Sequence, residues 1–191
     1  MQKPACLIHA FTPREPFGLE LVQAYRQGAG EAEHSLHFFD IHALSFDPIS
    51  YPGSYGLEPD LRQVVQAIVA AHQLVIALPV YRDFMPVTSQ GFFRKIFQTD
   101  ALGRPPASLW GPHPDLPLKK ARIISLLDHY SWQDFKLARS PRYHPLKKSV
   151  LETFGFSKVY TTTIPPQYRH GTADYHEKWM RKVTDLGKKI G

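Results

Sequence analysis

The sequence is poor in the residues that build several common kinds of site. It has one cysteine, Cys6, in 191 residues. That excludes a disulfide framework and a cysteine-rich zinc site, and it suits a reducing compartment. No stretch approaches the roughly 20 apolar residues that cross a bilayer, and Met1 to Ala10 holds too short an apolar run for a signal peptide. The expectation is a cytoplasmic protein with no membrane span. Glycine-rich phosphate motifs are also missing. Gly28-Ala29-Gly30 lacks a third glycine at the dinucleotide spacing and falls after the first helical stretch instead of before it. No Gly-x-x-x-x-Gly-Lys-Ser/Thr and no Gly-x-Ser-x-Gly occurs, so neither a P-loop nor a serine elbow is present. Concentrated charge is lacking too. The 23 Lys plus Arg exceed the 17 Asp plus Glu by six, yet they spread over Lys119-Lys120-Ala121-Arg122, Lys147-Lys148 and Lys188-Lys189 without interleaved aromatics. No nucleic-acid partner is expected from that pattern. Histidines 34, 37 and 42 straddle a strand and its end, where alternation does not put three ligands on one face, so no metal is expected.

What the chain does have is core. Its residues are 43% hydrophobic and 21% charged, and one folded unit spanning 1–191 suits the length. Three apolar runs read as buried parallel strands: Ala5–Ala10, Gln73–Leu78 and Ala121–Leu127. Two weaker strands are His34–Asp40 and the β-branched Lys158–Ile164. Helical stripes alternate with them. Leu61, Val64, Val65, Ile68 and Val69 form one face behind Pro59, while Phe92, Phe93, Ile96 and Phe97 form another, with Thr88 or Ser89 as its expected cap. Pro145 opens a helix carrying Leu146, Val150, Leu151 and Phe154, which Gly155 closes in the left-handed conformation. Further helices are expected over Gly18–Gln27 and Ala173–Lys189. The segment Leu102–Leu118, with five of the 17 prolines, reads as a stiff loop whose Trp110 is an anchor for a second copy of the chain.

This β-α alternation with five strands predicts a doubly wound α/β fold, a flavodoxin-like five-stranded parallel sheet of order 2-1-3-4-5. In such a sheet, ligands bind beyond the carboxyl ends of the strands where the order reverses, here between the first and third strands. The lining loops are then 11–18, 79–86 and 128–134. The first loop, Phe11-Thr12-Pro13-Arg14-Glu15-Pro16-Phe17-Gly18, runs into a helix. Backbone N–H groups at residues 12–18, the Thr12 hydroxyl and the Arg14 guanidinium are candidates for holding a phosphate, with Phe17 and Gly18 at the helix start.

Two segments resemble one family. Phe39-Asp40-Ile41-His42-Ala43-Leu44-Ser45-Phe46-Asp47-Pro48 resembles the Asp-Leu-Tyr-x-Leu-x-Phe-Asp-Pro stretch of flavodoxin-like NAD(P)H:quinone oxidoreductases. Leu78-Pro79-Val80-Tyr81-Arg82-Asp83-Phe84-Met85-Pro86 resembles their Pro-Leu-Tyr-Trp-Phe-Ser-Met-Pro loop, and Ser89–Phe97 the helix after it. The resemblance implies a homodimer that binds FMN, or FAD, and uses NAD(P)H as co-substrate for a small quinone-like acceptor. It also implies that Pro79, Val80, Tyr81, Arg82, Asp83, Phe84 and Asp128 line the flavin. Tyr130, His129 and His144 are the candidate donors to the acceptor oxygen. Some relatives are ancillary subunits of potassium-efflux systems, which leaves a flavin-free binding subunit as the alternative.

The chain departs from the family at the same crevice. Arg82-Asp83 replaces an aromatic pair, and Leu127-Asp128-His129-Tyr130 replaces Thr-Thr-Gly-Gly. Gln98-Thr99-Asp100-Ala101 replaces Gly-Phe-Ala-Tyr. Thr12 stands where relatives have histidine, and Phe17-Gly18 where they have serine or asparagine.

Overall fold

In the computed structural model the described residues are 3–50, 57–81, 85–97, 119–127, 146–152, 154–166 and 172–190. In chain order they form β1 (Ala5–His9), α1 (Pro16–Glu31), β2 (Leu36–Asp40), α2 (Pro59–Ala70), β3 (Gln73–Val80) and α3 (Val87–Ile96). Then come β4 (Lys120–Leu127), the π-helical α4 (Leu146–Glu152), β5 (Lys158–Ile164) and α5 (Thr172–Lys188). All five strands pair in parallel, in the order β2-β1-β3-β4-β5, as the alternation predicts.

The central strands are apolar throughout because both sheet faces are covered. On β1, Cys6 and Ile8 join the core under α2, α3 and α4, whereas Ala5 and Leu7 join the core under α1 and α5. The period of two thus sends alternate residues to two separate cores. Burial pushes the Cys6 thiol up to about 12, so it is an inert core group. On α2, Leu61, Val64, Val65 and Ile68 are buried, but Val69 is 39% exposed. Eight residues at 100° each carry Val69 to the edge of the stripe.

Helix α1 packs on α5 with backbone almost touching backbone. A Cβ on Gly28 would lie 2.0 Å from the Thr184 carbonyl oxygen, and one on Gly187 would lie 2.2 Å from that of Tyr25. Gly28, unremarkable as a nucleotide motif, is therefore a packing residue.

Several boundaries differ from the sequence expectation. Helix α1 starts two residues earlier than expected, at Pro16, and runs to Glu31, while β2 starts later, at Leu36. Helix α3 is not capped by Thr88 or Ser89. Its N-cap is Pro86, with no side-chain cap, because φ −52° and ψ 146° there start the helix at Val87. The two hydroxyls then fall inside the first turn. Gly155 does close the preceding segment with φ 101°, and its N–H donates to the Glu152 carbonyl. The proline-rich segment around Trp110 lies outside the described residues.

The glycine contacts give a paired expectation. Gly28→Ala should lose about 1–3 kcal/mol or more, because the clash is with backbone. Gly30→Ala, whose Cβ meets nothing within 4 Å, should be neutral or gain about 0.5–1 kcal/mol from helix propensity. Urea unfolding midpoints at unchanged m-value measure both; equal destabilisation would refute the packing role of Gly28.

Candidate functional site

The sheet itself opens the crevice. The Ala10 N–H donates to the Ala77 carbonyl at 2.9 Å, so the Ala77 backbone faces β1. With a period of two, the Pro79 backbone faces the same side. Strand β1 has ended there, since its last partner is His9 opposite Ala77. Strand β3 nevertheless continues to Val80, paired with β4 through Leu127. The expectation that β3 ends at Leu78 is therefore corrected: Pro79 is a strand residue. Its missing N–H costs no ladder bond because, among the described residues, no strand lies on that side.

Beyond β1 the chain passes through buried Phe11 into the first loop. Glu15 holds that loop together. Its Oε2 accepts from the Thr12 N–H at 2.7 Å and from the Thr12 hydroxyl at 2.9 Å, while the same hydroxyl oxygen accepts the Arg14 N–H at 3.3 Å. The Glu15 N–H donates to the Thr12 carbonyl at 2.9 Å. The Tyr81 hydroxyl, at the end of β3, donates to Glu15 Oε1. One carboxylate thus ties the two loops across the crevice. Glu15 is also the N-cap residue of α1, yet no side chain caps that helix and Pro16 occupies its first turn. The first-turn N–H groups of Phe17 and Gly18 keep their positive end of the helix dipole without a capping oxygen.

The other predicted residues fall as follows. Arg14 is exposed, and Tyr81 is 38% exposed. Phe17 is turned toward α5, its ring 5.6 Å from Tyr175 and 5.4 Å from His176. Gly18 permits close approach of α1 to the core, since a Cβ there would lie 2.3 Å from the Phe11 ring. Pro79 is buried and Val80 half-buried. Arg82, Asp83, Phe84, Asp128, His129, Tyr130 and His144 lie outside the described residues. Glu15 was not among the candidates read from sequence. Its signal is Thr12-x-x-Glu15, the spacing by which a glutamate reaches back to a threonine N–H.

Two neighbouring groups support the crevice. Segment 47–50 is pinned to α3: the Ile49 N–H donates to Asp47 at 2.9 Å, and the Arg94 guanidinium donates to the Ile49 carbonyl at 2.9 Å. Buried Lys95 pairs with Glu58 and donates to the Ser50 hydroxyl at 3.2 Å. At the end of β1, buried His9 stacks on Phe38 at 5.2 Å and lies 3.9 Å from Asp40. The histidines doubted as metal ligands are scattered. His34 accepts from the Lys3 N–H and lies 3.3 Å from the Lys188 carbonyl oxygen, while His42 lies 3.1 Å from the Ala10 carbonyl oxygen. Among the described residues, no group of three or more His, Cys, Asp or Glu is placed to hold a metal ion.

The chain is similar in structure to several solved proteins. An NAD(P)H:quinone oxidoreductase from Methanothermobacter marburgensis aligns with TM-score 0.74 and 17% identity over 98% of this chain and 96% of that one. Smu.1420 from Streptococcus mutans UA159 aligns at 0.73 and 20% over 98% and 100%. An FMN-dependent NADH-azoreductase from Bacillus anthracis, solved with FMN, aligns at 0.67 and 10% over 96% and 97%. No family model and no curated protein matches the chain. At these identities the likeness establishes the flavodoxin-like fold.

Burial of His9 gives a pH dependence. Desolvation lowers its pKa below the ordinary 6.5; Asp40 pulls it up, while His42 and Arg26 push it down further. The folded state therefore holds His9 neutral where the unfolded chain takes up a proton. Stability should be full above about pH 6.5 and fall as pH drops toward the folded pKa, by at most about 1.4 kcal/mol per pH unit for this one proton. The lowered pKa of His72 adds a loss of the same sign. His9→Gln should flatten the fall between pH 7.5 and 5.5 in denaturant titrations, and an unchanged slope would remove His9 as a source.

Proposed function

We propose that the chain binds FMN in the crevice between β1 and β3 and acts as an NAD(P)H oxidoreductase, passing two electrons to a quinone-like or other small acceptor. One observation carries the reading: the first-loop turn and the uncapped start of α1 meet the free backbone edge of β3 at the switch point. The near full-length likeness to quinone and azo reductases, one of them solved with FMN, supports it.

The residues present suit such a cofactor. The first-turn N–H groups of α1 and the exposed Arg14 would hold the phosphate. The backbone of Pro79 and Tyr81 faces the opening and would meet the polar edge of the flavin, with the Tyr81 ring beside it. Arg82, Asp83, Phe84 and Asp128 are assigned to the same lining by chain position. Bound FMN supplies reversible acceptance of a hydride and its electrons. The protein's part is to orient the ring, exclude water and offer a proton where charge develops on the acceptor oxygen. Tyr130 and His129, three and two residues past β4, are our proposed donors in that step, with His144 third. FAD is the second choice of cofactor. The working form is proposed to be a cytoplasmic homodimer with the Trp110 loop at its contact.

Colour tests this reading. FMN added to the purified protein should give a yellow complex with quenched flavin fluorescence, bleached anaerobically by NADH or NADPH. Arg14→Ala should weaken FMN binding by about threefold to tenfold at low salt, and by less as screening grows. A colourless protein that takes up neither FMN nor FAD at high micromolar concentration would overturn the oxidoreductase and leave the flavin-free binding subunit.

A further inference from the structure

We infer that Glu15 is an internal competitor for the cofactor phosphate, so that this crevice recognises the flavin chiefly by its ring and discounts its phosphate. The inference rests on the flavin reading only for the identity of the ligand. Its basis is the hydrogen-bonding of the first loop. Beside the first-turn N–H groups of α1, the loop's own donors to an anion are the Thr12 N–H and the Thr12 hydroxyl. Both already donate to Glu15 Oε2, at 2.7 and 2.9 Å. The Tyr81 hydroxyl, reaching over from β3, donates to the other oxygen of the same carboxylate.

A phosphate arriving at the start of α1 meets a negative charge held on the loop's own donors. Either the phosphate settles beside the carboxylate against its repulsion, or it displaces Glu15 and the bonds to Thr12 and Tyr81 break. Both routes lower the contribution of the phosphate. Neither touches the contacts made by the ring at the end of β3. Arg14, exposed to solvent in the same loop, offsets this only in part, and Lys95, buried on α3, is already paired with Glu58.

A plainer role for Glu15 is the turn closure alone, since Thr-x-x-Glu closes helix starts in many proteins. Glutamine serves that turn as well as glutamate, but carries no charge. The substitution Glu15→Gln therefore separates the two roles.

Wild type, Glu15→Gln and Tyr81→Phe are titrated with FMN, with riboflavin, which has the same ring and no phosphate, and with inorganic phosphate followed by the Thr12 amide shift in NMR. Glu15→Gln should bind FMN at least about tenfold more tightly than wild type while riboflavin changes by less than about twofold. Inorganic phosphate should move the Thr12 amide at a concentration about tenfold lower. Tyr81→Phe, which removes one of the carboxylate's donors, should shift the FMN and phosphate affinities the same way by less. An unchanged or weakened FMN affinity in a folded Glu15→Gln protein overturns the inference, as does an equal gain for riboflavin. If no flavin binds either protein, the flavin reading fails by itself and the phosphate titration decides: a tenfold gain sustains the role of Glu15 and no gain removes it. Should Glu15→Gln not fold, Tyr81→Phe decides by the same comparison.

Discussion

The unequal length of two neighbouring strands is the constraint on which the crevice depends. Strand β1 stops at His9 opposite Ala77, while β3 runs on to Val80 with β4 as its only partner among the described residues. A strand edge left open inside a sheet is costly unless its polar groups have another use. Here the cost is small on the donor side, because Pro79 has no N–H to leave unpaired. The connection from β1 must then swing away through Phe11, whose ring lies under Gly18. A larger residue at position 18 would push the start of α1 off the sheet and move the whole first loop. The proline in β3 and the glycine in α1 are thus two halves of one geometry.

Much of the fold is legible in the sequence for a physical reason. A parallel sheet buried on both faces demands uninterrupted apolar runs, and Ala5–His9, Gln73–Leu78 and Ala121–Leu127 supply them without competing signals. Helix faces are equally plain where the period holds, as at Leu61, Val64, Val65 and Ile68. What is illegible is governed by single backbone angles or by contacts between distant segments. Pro86 takes the N-cap of α3 through its own φ and ψ, so no side-chain signal marks the start. The close approach of α1 to α5 depends on Gly28 and Gly187, which are 159 positions apart and look like ordinary helix-weakening glycines in a linear reading. The candidate site is legible as a place and less so as a set of side chains. Strand order locates it, and Thr12, Arg14 and Tyr81 are in it. Glu15 escapes because a carboxylate is a poor guess for a loop expected to attract an anion.

The stretch that most resembles the reductase family proves to be architecture. In Phe46-Asp47-Pro48 the aspartate accepts the Ile49 N–H, and Pro48 lies so close to α3 that a Cβ on Gly91 would approach its carbonyl oxygen to 2.1 Å. Burial pushes the Glu58 carboxyl up, and the hydrogen bond and charge of Lys95 together with backbone hydrogen bonds outweigh it and hold the pKa low. The ion pair therefore keeps its charges, and because Lys95 is 2% exposed, loss of Glu58 would strand a buried cation. Such a pair fixes one arrangement of Glu58 and Ser50 against α3 more than it adds stability. Its consequence for the site is indirect: α3 begins six residues beyond Tyr81, and its docking sets where the end of β3 can lie.

Glu15 links the stability of the first loop to the affinity of the site. A loop built to wait for an anion has donors with no partner, and unpaired donors destabilise the folded chain. Filling them with an internal carboxylate removes that cost in the unliganded protein. The same free energy must then be given up when an external anion takes its place, since binding is measured from the unliganded state. Stabilising the empty loop and weakening phosphate recognition are in this sense one quantity seen from two sides. The Tyr81 hydroxyl extends the linkage across the crevice: while it donates to Glu15 it cannot donate that proton to a ligand, and displacement of the carboxylate breaks that bond at the end of β3. A Tyr81 ring without that bond is a different surface from one tied to the first loop. In the proposed flavin site, the occupant of the phosphate end would thereby set the state of Tyr81 at the end of β3.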